Sequence, residues 1–155
     1  MPSFETIRHV GHAPEKMFDL VADVEKYPEF LPLCEALVVR SRKERDGRTL
    51  LVADMTVGYK AIRETFTSQV YLKPDESTIE VKYLDGPFRY LNNVWSFLPG
   101  EGGQGTQVVF FIDYEFKSRV LGALMGAMFD RAFRMFTNAF EKRADVIYGP
   151  PAETT

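Results

Sequence analysis

The sequence predicts an α+β domain in which one seven-stranded antiparallel sheet is closed by a single long C-terminal helix. Three observations predict it. Residues 118–145 are the only stretch long enough for one dominant helix, with apolar side chains at helical spacing and no proline inside. Residues 35–117 instead alternate in polarity and are cut at intervals by proline and glycine, the pattern of strands and turns. The turns are short, so only sequence neighbours can pair, and they must pair antiparallel. At 155 residues the chain is long enough for one domain with a sizeable core. That domain is expected over residues 1–149, with residues 150–155 as a disordered tail.

Taken in order, residues 3–9 read as a first strand, with Phe4, Thr6 and Arg8 alternating against Glu5, Ile7 and His9. Pro14 suits the first position of a short helix whose apolar face is Met17, Phe18, Val21 and Ala22. A second helical turn runs through Val24 and Tyr27. Pro28 and Pro32 then stiffen an apolar corner with Phe30 and Leu31 between them. Strands follow at residues 36–44, 48–57, 60–72, 78–84, 88–98 and 106–116. The breaks are Asp46-Gly47, Pro74-Asp75, Asp85-Gly86-Pro87 and the glycine-rich loop at residues 99–105.

In the closing helix the apolar stripe runs through Leu121, Leu124, Met125, Met128, Ala132, Met135, Phe136 and Ala139, flanked by Phe129, Phe133 and Phe140. Asp130, Arg131, Arg134, Asn138, Glu141, Lys142 and Asp145 form the wet side. Its length, roughly 42 Å, is enough to cross the sheet of a small domain. Gly149, Pro150 and Pro151 end it. Residues 120–129 carry no charge, and Gly122, Ala123, Gly126 and Ala127 stand where a solvent face should be. The Met- and Phe-rich stripe suits a core and equally a variable apolar guest.

Strand parity selects a dry face bearing Met55 and Val57, then Ile62, Phe66 and Val70, then Ile79, Val81 and Tyr83. It continues through Leu91, Trp95 and Phe97 to Val108, Phe110, Ile112, Tyr114 and Phe116. A twisted sheet curling around one helix does not close fully at both ends, so an internal apolar cavity is expected. Two polar residues share that dry parity. Glu64 lies between Ile62 and Phe66, and Asn93 between Leu91 and Trp95. A carboxylate in a dry interior needs a partner, a wet mouth or a ligand group. Asn93 reads as an amide satisfied by backbone.

The composition excludes several classes. A net charge of -3 argues against a nucleic-acid footprint. The one basic cluster, Arg40, Arg42, Lys43, Arg45 and Arg48, surrounds a hairpin turn and reads as a solvated edge, with phosphate binding as the alternative. Cys34 is the single cysteine, so no internal disulfide forms, and it reads as a packed side chain in a reducing compartment. No apolar run reaches the roughly 18 residues of a membrane span, and the N-terminus has no secretory pattern. His9 and His12 lack further ligands, so no metal is expected. The glycine-rich loop lacks the Lys-Ser/Thr ending of a phosphate cradle. No nucleophile-base constellation is evident, which argues against catalysis.

The order of elements, together with particular words, resembles the START-like helix-grip family (START/Bet v 1-like, polyketide cyclase/dehydrase-like). Within it the chain is most similar to the coenzyme Q-binding branch, which also holds the bacterial ribosome association toxin A proteins. The words are FDLVADVEKYPEFLPLC from Phe18 to Cys34, DGPF from Asp85 running to Trp95 and Phe97, YEFKSR from Tyr114 to Arg119, and FEKRA from Phe140 with Tyr148-Gly149. They span almost the whole chain.

The resemblance implies a lipophilic cavity between sheet and helix that binds ubiquinone or a polyprenylated precursor in support of respiration, without catalysis. Matched onto this chain, the implied ligand-binding residues are Met55, Val57, Phe66, Val81, Tyr83, Leu91, Trp95, Phe97, Phe110, Leu121, Leu124, Met125 and Met128. Glu64 and Asn93 are the polar candidates for the ring. No covalent cofactor is implied. The chain begins directly at its first strand, as a bacterial form would, so a cytoplasmic protein with peripheral contact at the inner membrane is expected. The alternative is a ribosome-binding antagonist acting through Arg40, Arg42, Lys43, Arg45 and Arg48. A cyclase of aromatic polyketides on the same fold is a third reading, since fold does not fix function.

Overall fold

The computed structural model describes residues 3–59 and 61–149. Lys60, expected to begin a strand, and residues 150–155, expected as a tail, lie outside the described residues. The elements are β1 (Ser3–Val10), α1 (Pro14–Ala22), a 3-10 helix (Val24–Glu29), β2 (Cys34–Arg45), β3 (Arg48–Tyr59) and β4 (Ile62–Lys73). Then come β5 (Thr78–Asp85), β6 (Phe88–Pro99), β7 (Thr106–Phe116) and α2 (Arg119–Tyr148). The strands form one antiparallel sheet in the order β1-β7-β6-β5-β4-β3-β2. The meander from β2 to β7 is completed by β1, which returns to pair with β7 from Ser3 opposite Asp113 to Val10 opposite Thr106.

Local chemistry accounts for the boundaries. Pro14 opens α1 at a position where the missing N–H costs nothing. Pro28 sits inside the 3-10 helix that follows, and the chain then turns through Leu31 to Leu33 into β2. Ser118 caps α2, its Oγ accepting the Leu121 N–H at 3.2 Å. Gly149, with φ at 86°, ends it. At the β5–β6 turn Gly86 has φ of 141°, and a Cβ there would stand 2.7 Å from the Phe66 Cβ. Only glycine suits that place, because the turn folds back over β4.

The core lies between the concave face of the sheet and the inner faces of α1 and α2. Parity along β7 holds as expected: Val108, Phe110, Ile112 and Tyr114 are buried. Along β6 it breaks. Phe88 and Leu91 both face inward because Arg89 is an extra residue between the Phe88–Phe116 and Tyr90–Glu115 pairs. A second extra residue, Leu84, lies between the Asp85–Thr67 and Tyr83–Ser68 pairs. Such bulges bend a strand and increase its twist, and these two flank the Gly86 turn, curling that corner of the sheet.

One expectation about α2 is corrected. The helix is rotated relative to the stripe read from the sequence, so that Met125, Phe129, Ala132, Phe133, Thr137, Phe140 and Ala144 are buried. Leu124 (59% exposed) and Met135 (47% exposed) point outward, and Val120 is exposed beside Leu124. The phenylalanines treated as flanks form the centre. The reason is volume: rings at i, i+4 and i+11 fill the wide trough of a seven-stranded sheet, and the smaller Leu and Met side chains yield to them.

Candidate functional site

Between the sheet and α2 the side chains leave a cavity of about 110 Å³. Its floor is the concave face of the sheet. β3 contributes Ala53, Met55 and Val57; β4 contributes Phe66, Ser68 and Val70; β5 contributes Ile79 and Val81. β6 contributes Phe88, Leu91, Asn93 and Trp95, and β7 contributes Phe110 and Ile112. Its roof is Phe129, Ala132, Phe133, Phe136 and Phe140 of α2. Its flank is Val24, Tyr27 and the corner from Leu31 to Cys34, with Leu37.

Aromatic rings cluster at two places along the wall. At one, Phe88 stacks on Phe116 at 4.8 Å and on Phe129 at 5.8 Å, and meets Tyr114 edge-on. At the other, Phe97 lies parallel to Trp95 and receives the edge of Phe18. Trp95 also packs on Phe110 at 4.6 Å and on Phe140 at 5.2 Å, forming the densest part of the wall.

Among the described residues the lining carries no charged side chain. Its polar groups are few. The Tyr27 hydroxyl donates to the Val21 carbonyl, and burial pushes its ionisation far above the ordinary range. The Cys34 thiol donates weakly to the Ala36 carbonyl at 3.7 Å. Asn93 donates through Nδ2 to the Phe111 carbonyl at 2.7 Å. The Ser68 Oγ is buried and has no hydrogen-bond partner among the described residues. Leu33 adopts φ of 69°, a left-handed backbone uncommon for a side chain of its kind. Its carbonyl accepts the Gly58 N–H at 3.0 Å and so fastens the corner to the end of β3.

The residues singled out in the sequence divide into groups. Met55, Val57, Phe66, Val81, Leu91, Trp95 and Phe110 line the cavity, as does Asn93. Tyr83 faces inward, but its hydroxyl accepts the Phe88 N–H at 3.1 Å and it stands behind Phe88, outside the lining. Phe97 is buried behind the lining, against Trp95 and Phe18. Met125 is buried, and Leu121 and Met128 are partly buried against the core, all three outside the cavity. Leu124 is on the outer face of the helix. Glu64, opposite Val57, is half-buried and not part of the lining.

Several lining residues escaped the sequence reading. Phe88 is hidden by the bulge at Arg89, and Leu37 by register shifts in β2. Ser68 shares parity with Phe66 and Val70, a signal that was available, but a serine in a strand draws no notice by itself. Cys34 was read as packing and proves to be part of the wall.

The basic hairpin is self-neutralised. Arg40 pairs with Asp54 at 3.6 Å, Arg42 with Glu25 at 3.6 Å, and Arg45 with Asp46 at 3.8 Å. Arg48 holds Asp75 at 2.7 Å and also Glu76. Of the cluster, Lys43 alone forms no ion pair among the described residues.

α2 is held very unevenly. Near its C-terminus, Arg8 donates to Glu141 (2.8 Å) and Asn138 (3.3 Å), His12 Nε2 meets Asp145 at 2.7 Å, and Arg143 pairs with Glu29 at 2.6 Å. The Tyr148 hydroxyl donates to the Lys16 carbonyl at 3.1 Å. Before residue 130 the described residues show no ion pair between helix and sheet. That half is held by its apolar face.

Burial pushes the Cys34 thiol up to about 11 from its ordinary 9.0. Because the folded value is raised, its contribution to stability is complete below pH 9.0 and is lost as pH rises through about 11. At pH 8 only about a thousandth of the thiol is ionised. Alkylation by iodoacetamide at that pH is therefore expected to be roughly 100-fold slower than for an exposed cysteine, and to rise about tenfold per pH unit up to pH 10. Fast labelling of the folded protein at pH 8, followed by intact mass, would contradict this placement.

Comparison with known proteins agrees with this architecture. The family model described as polyketide cyclase / dehydrase and lipid transport matches residues 10–141. The ribosome association toxin RatA of Rickettsia prowazekii is 33% identical over 147 residues, covering 93% of this chain and 97% of that protein. The mitochondrial coenzyme Q-binding protein COQ10 homolog B of Xenopus laevis is 34% identical over 143 residues, which is 90% of this chain but 57% of that longer protein. Among solved structures, an 18 kDa protein of Caulobacter crescentus is 33% identical with a TM-score of 0.79, covering 97% of this chain and all of that one. The Zhui aromatase/cyclase of Streptomyces shares the fold, with a TM-score of 0.78 at 18% identity over 97% of this chain and 99% of its own. An apolar hollow roofed by the last helix, a family model across most of the chain and relatives above 30% identity over nearly its full length lead to one assignment: the chain belongs to the START-like polyketide cyclase / dehydrase and lipid transport family.

Proposed function

We propose that this protein binds an isoprenoid quinone, ubiquinone or a precursor, in the cavity between sheet and α2, and carries it in support of respiratory electron transport without transforming it. The observation that carries this reading is the neutrality of the lining. A hollow without any charged side chain penalises an ionised guest by far more than contacts return, and favours a neutral, largely apolar one. A quinone ring is neutral and flat, and suits walls built from Trp95, Phe110, Phe133 and Phe140. Relatives named for coenzyme Q binding support the same guest. Among the described residues the lining offers no carboxylate, imidazole or ammonium as general acid or base, which supports a carrier over a cyclase.

Size refines the reading. About 110 Å³ is below the roughly 300–1,000 Å³ typical of pockets for drug-sized ligands, so the cavity suits the ring and not a long tail. The tail then requires the weakly held first half of α2 to lift, exposing Leu121, Met125 and Met128 as its track. Outside that half, Val120 and Leu124 are exposed beside Arg119 and Arg131, which suits shallow contact with an anionic lipid surface during loading. Leu124→Glu is expected to slow transfer of quinone from anionic vesicles severalfold while leaving equilibrium affinity for a detergent-dispersed quinone unchanged. An unchanged transfer rate removes the membrane step.

Trp95 is the single tryptophan and stands in the wall, so its emission reports occupancy. Titration with a short-tailed ubiquinone is expected to quench it saturably. Ala53→Phe, which fills the floor, should reduce affinity at least tenfold with the circular dichroism spectrum retained. A wild-type protein whose emission does not respond, and from which organic extraction yields no quinone, defeats the proposal.

A second reading is favoured by the relatives named for ribosome association. On this chain, ribosome contact through Arg40, Arg42, Lys43, Arg45 and Arg48 must first break the hairpin's own ion pairs. Such exposed pairs are weak, so exchange for phosphate is feasible. If this reading holds, co-sedimentation with ribosomal subunits weakens steeply between 50 and 200 mM salt, roughly as expected for several phosphate contacts. It is then abolished by Arg40→Glu with Lys43→Glu. Binding indifferent to both removes the hairpin from consideration.

A further inference from the structure

The cavity contains one feature that packing does not explain. Ser68 is 5% exposed, its Oγ has no hydrogen-bond partner among the described residues, and it belongs to an otherwise apolar stretch of the floor. A buried hydroxyl without a partner is costly, and alanine would fill the same place without that cost. Two strands away Asn93, also buried, spends one Nδ2 hydrogen on the Phe111 carbonyl. This leaves its second Nδ2 hydrogen and its Oδ1 for the cavity, both without a partner among the described residues.

Register fixes the separation of the two. Ser68 pairs with Tyr83 and Asn93 with Val81, so they are two strands apart across β5 and offset by two residues along it. At about 4.8 Å per strand and 3.3 Å per residue, their backbones are roughly 12 Å apart, with both side chains on the concave face. Two oxygens placed para on a six-membered ring are roughly 5.3 Å apart, and two hydrogen bonds of about 2.8 Å extend that span to about 8 Å at lone-pair angles and to about 11 Å at most, in line.

We propose that Ser68 and Asn93 are the two positions that orient the guest's ring, each hydrogen-bonded to one of two opposed ring oxygens. The assignment rests on the quinone reading above and deepens it by naming the recognition elements. A hydroxyl both donates and accepts, and an amide offers one group of each kind, so the pair serves the dioxo ring and its dihydroxy reduced form alike. The ring is thereby gripped at its two ends, across the line of aromatic walls. Discrimination falls on the positions of the oxygens and not on the tail: a guest lacking one oxygen leaves a buried polar group unsatisfied, the situation that rejects analogues most strongly.

The test uses opposite signs. Ser68→Ala removes an unsatisfied hydroxyl, so the guest-free protein is expected to melt at an equal or higher temperature, while affinity for a short-tailed ubiquinone falls about tenfold. Ser68→Thr, which keeps the hydroxyl on a strand-compatible side chain, should restore most of that affinity. Wild-type protein should prefer the quinone over an analogue of the same tail that lacks both ring oxygens, and the preference should shrink in Ser68→Ala and again in Ser68→Ala with Asn93→Leu. If wild-type protein binds quinone and Ser68→Ala binds it equally well, the orienting pair is wrong and the carrier reading stands. If wild-type protein binds no quinone, both fall. A drop in melting temperature and affinity together in Ser68→Ala, without rescue by threonine, would mark Ser68 as structural and overturn the assignment.

Discussion

One helix fastened at one end governs the rest of this molecule. The last turns of α2 are tied to β1 by Arg8, to the β1–α1 connection by His12, to α1 by the Lys16 carbonyl and to the 3-10 helix by Glu29, through contacts whose geometry fixes both position and rotation. Its first turns rest on apolar contacts, among them the Phe129 ring against Phe88 and Phe116. Directional polar contacts hold a helix in one setting, whereas apolar contacts tolerate sliding and lifting at small cost. The sheet, with every strand paired in one continuous ladder, supplies the rigid half of the grip.

The interior follows from that arrangement. Seven twisted strands make a trough wider than one helix can fill, and the space is reduced by large side chains from both sides. Stacked rings crowd its walls, while the middle retains a neutral hollow. Most charge lies toward the outside, where carboxylates and cations pair locally, as around Arg48, Asp75 and Glu76. There the guanidinium of Arg48 holds the Asp75 carboxyl below its usual range. Such pairs shape the surface and add little to the core.

Much of this was legible from the chain. Alternation in β7 and the spacing of proline and glycine specified strand number and pairing, because period-two burial leaves a plain record. The twist of such a sheet implied the cavity, and somewhat under half of its lining followed from the same parity. What failed to show has definite causes. Inserted residues at Leu84 and Arg89 reverse parity without altering composition, so Phe88 was overlooked. In α2, hydrophobicity alone ranks Leu124 with Phe129, but only the width of the opposing trough decides which of them faces in. The ion pairs across Arg40, Arg42 and Arg48 join residues distant in sequence, so a cluster that read as positive is close to neutral. Ser68 was invisible for another reason: an unpartnered hydroxyl is defined by its surroundings, which no single strand records.

The two inserted residues have a consequence for how such a domain diversifies. Both Leu84 and Arg89 point outward, so losing either would leave every inward side chain facing inward. The strand would nevertheless straighten, and the trough it helps to bend would change in breadth. A lineage could thus retune the girth of its chamber by a single-codon deletion on the wet side, with no substitution in the chamber itself.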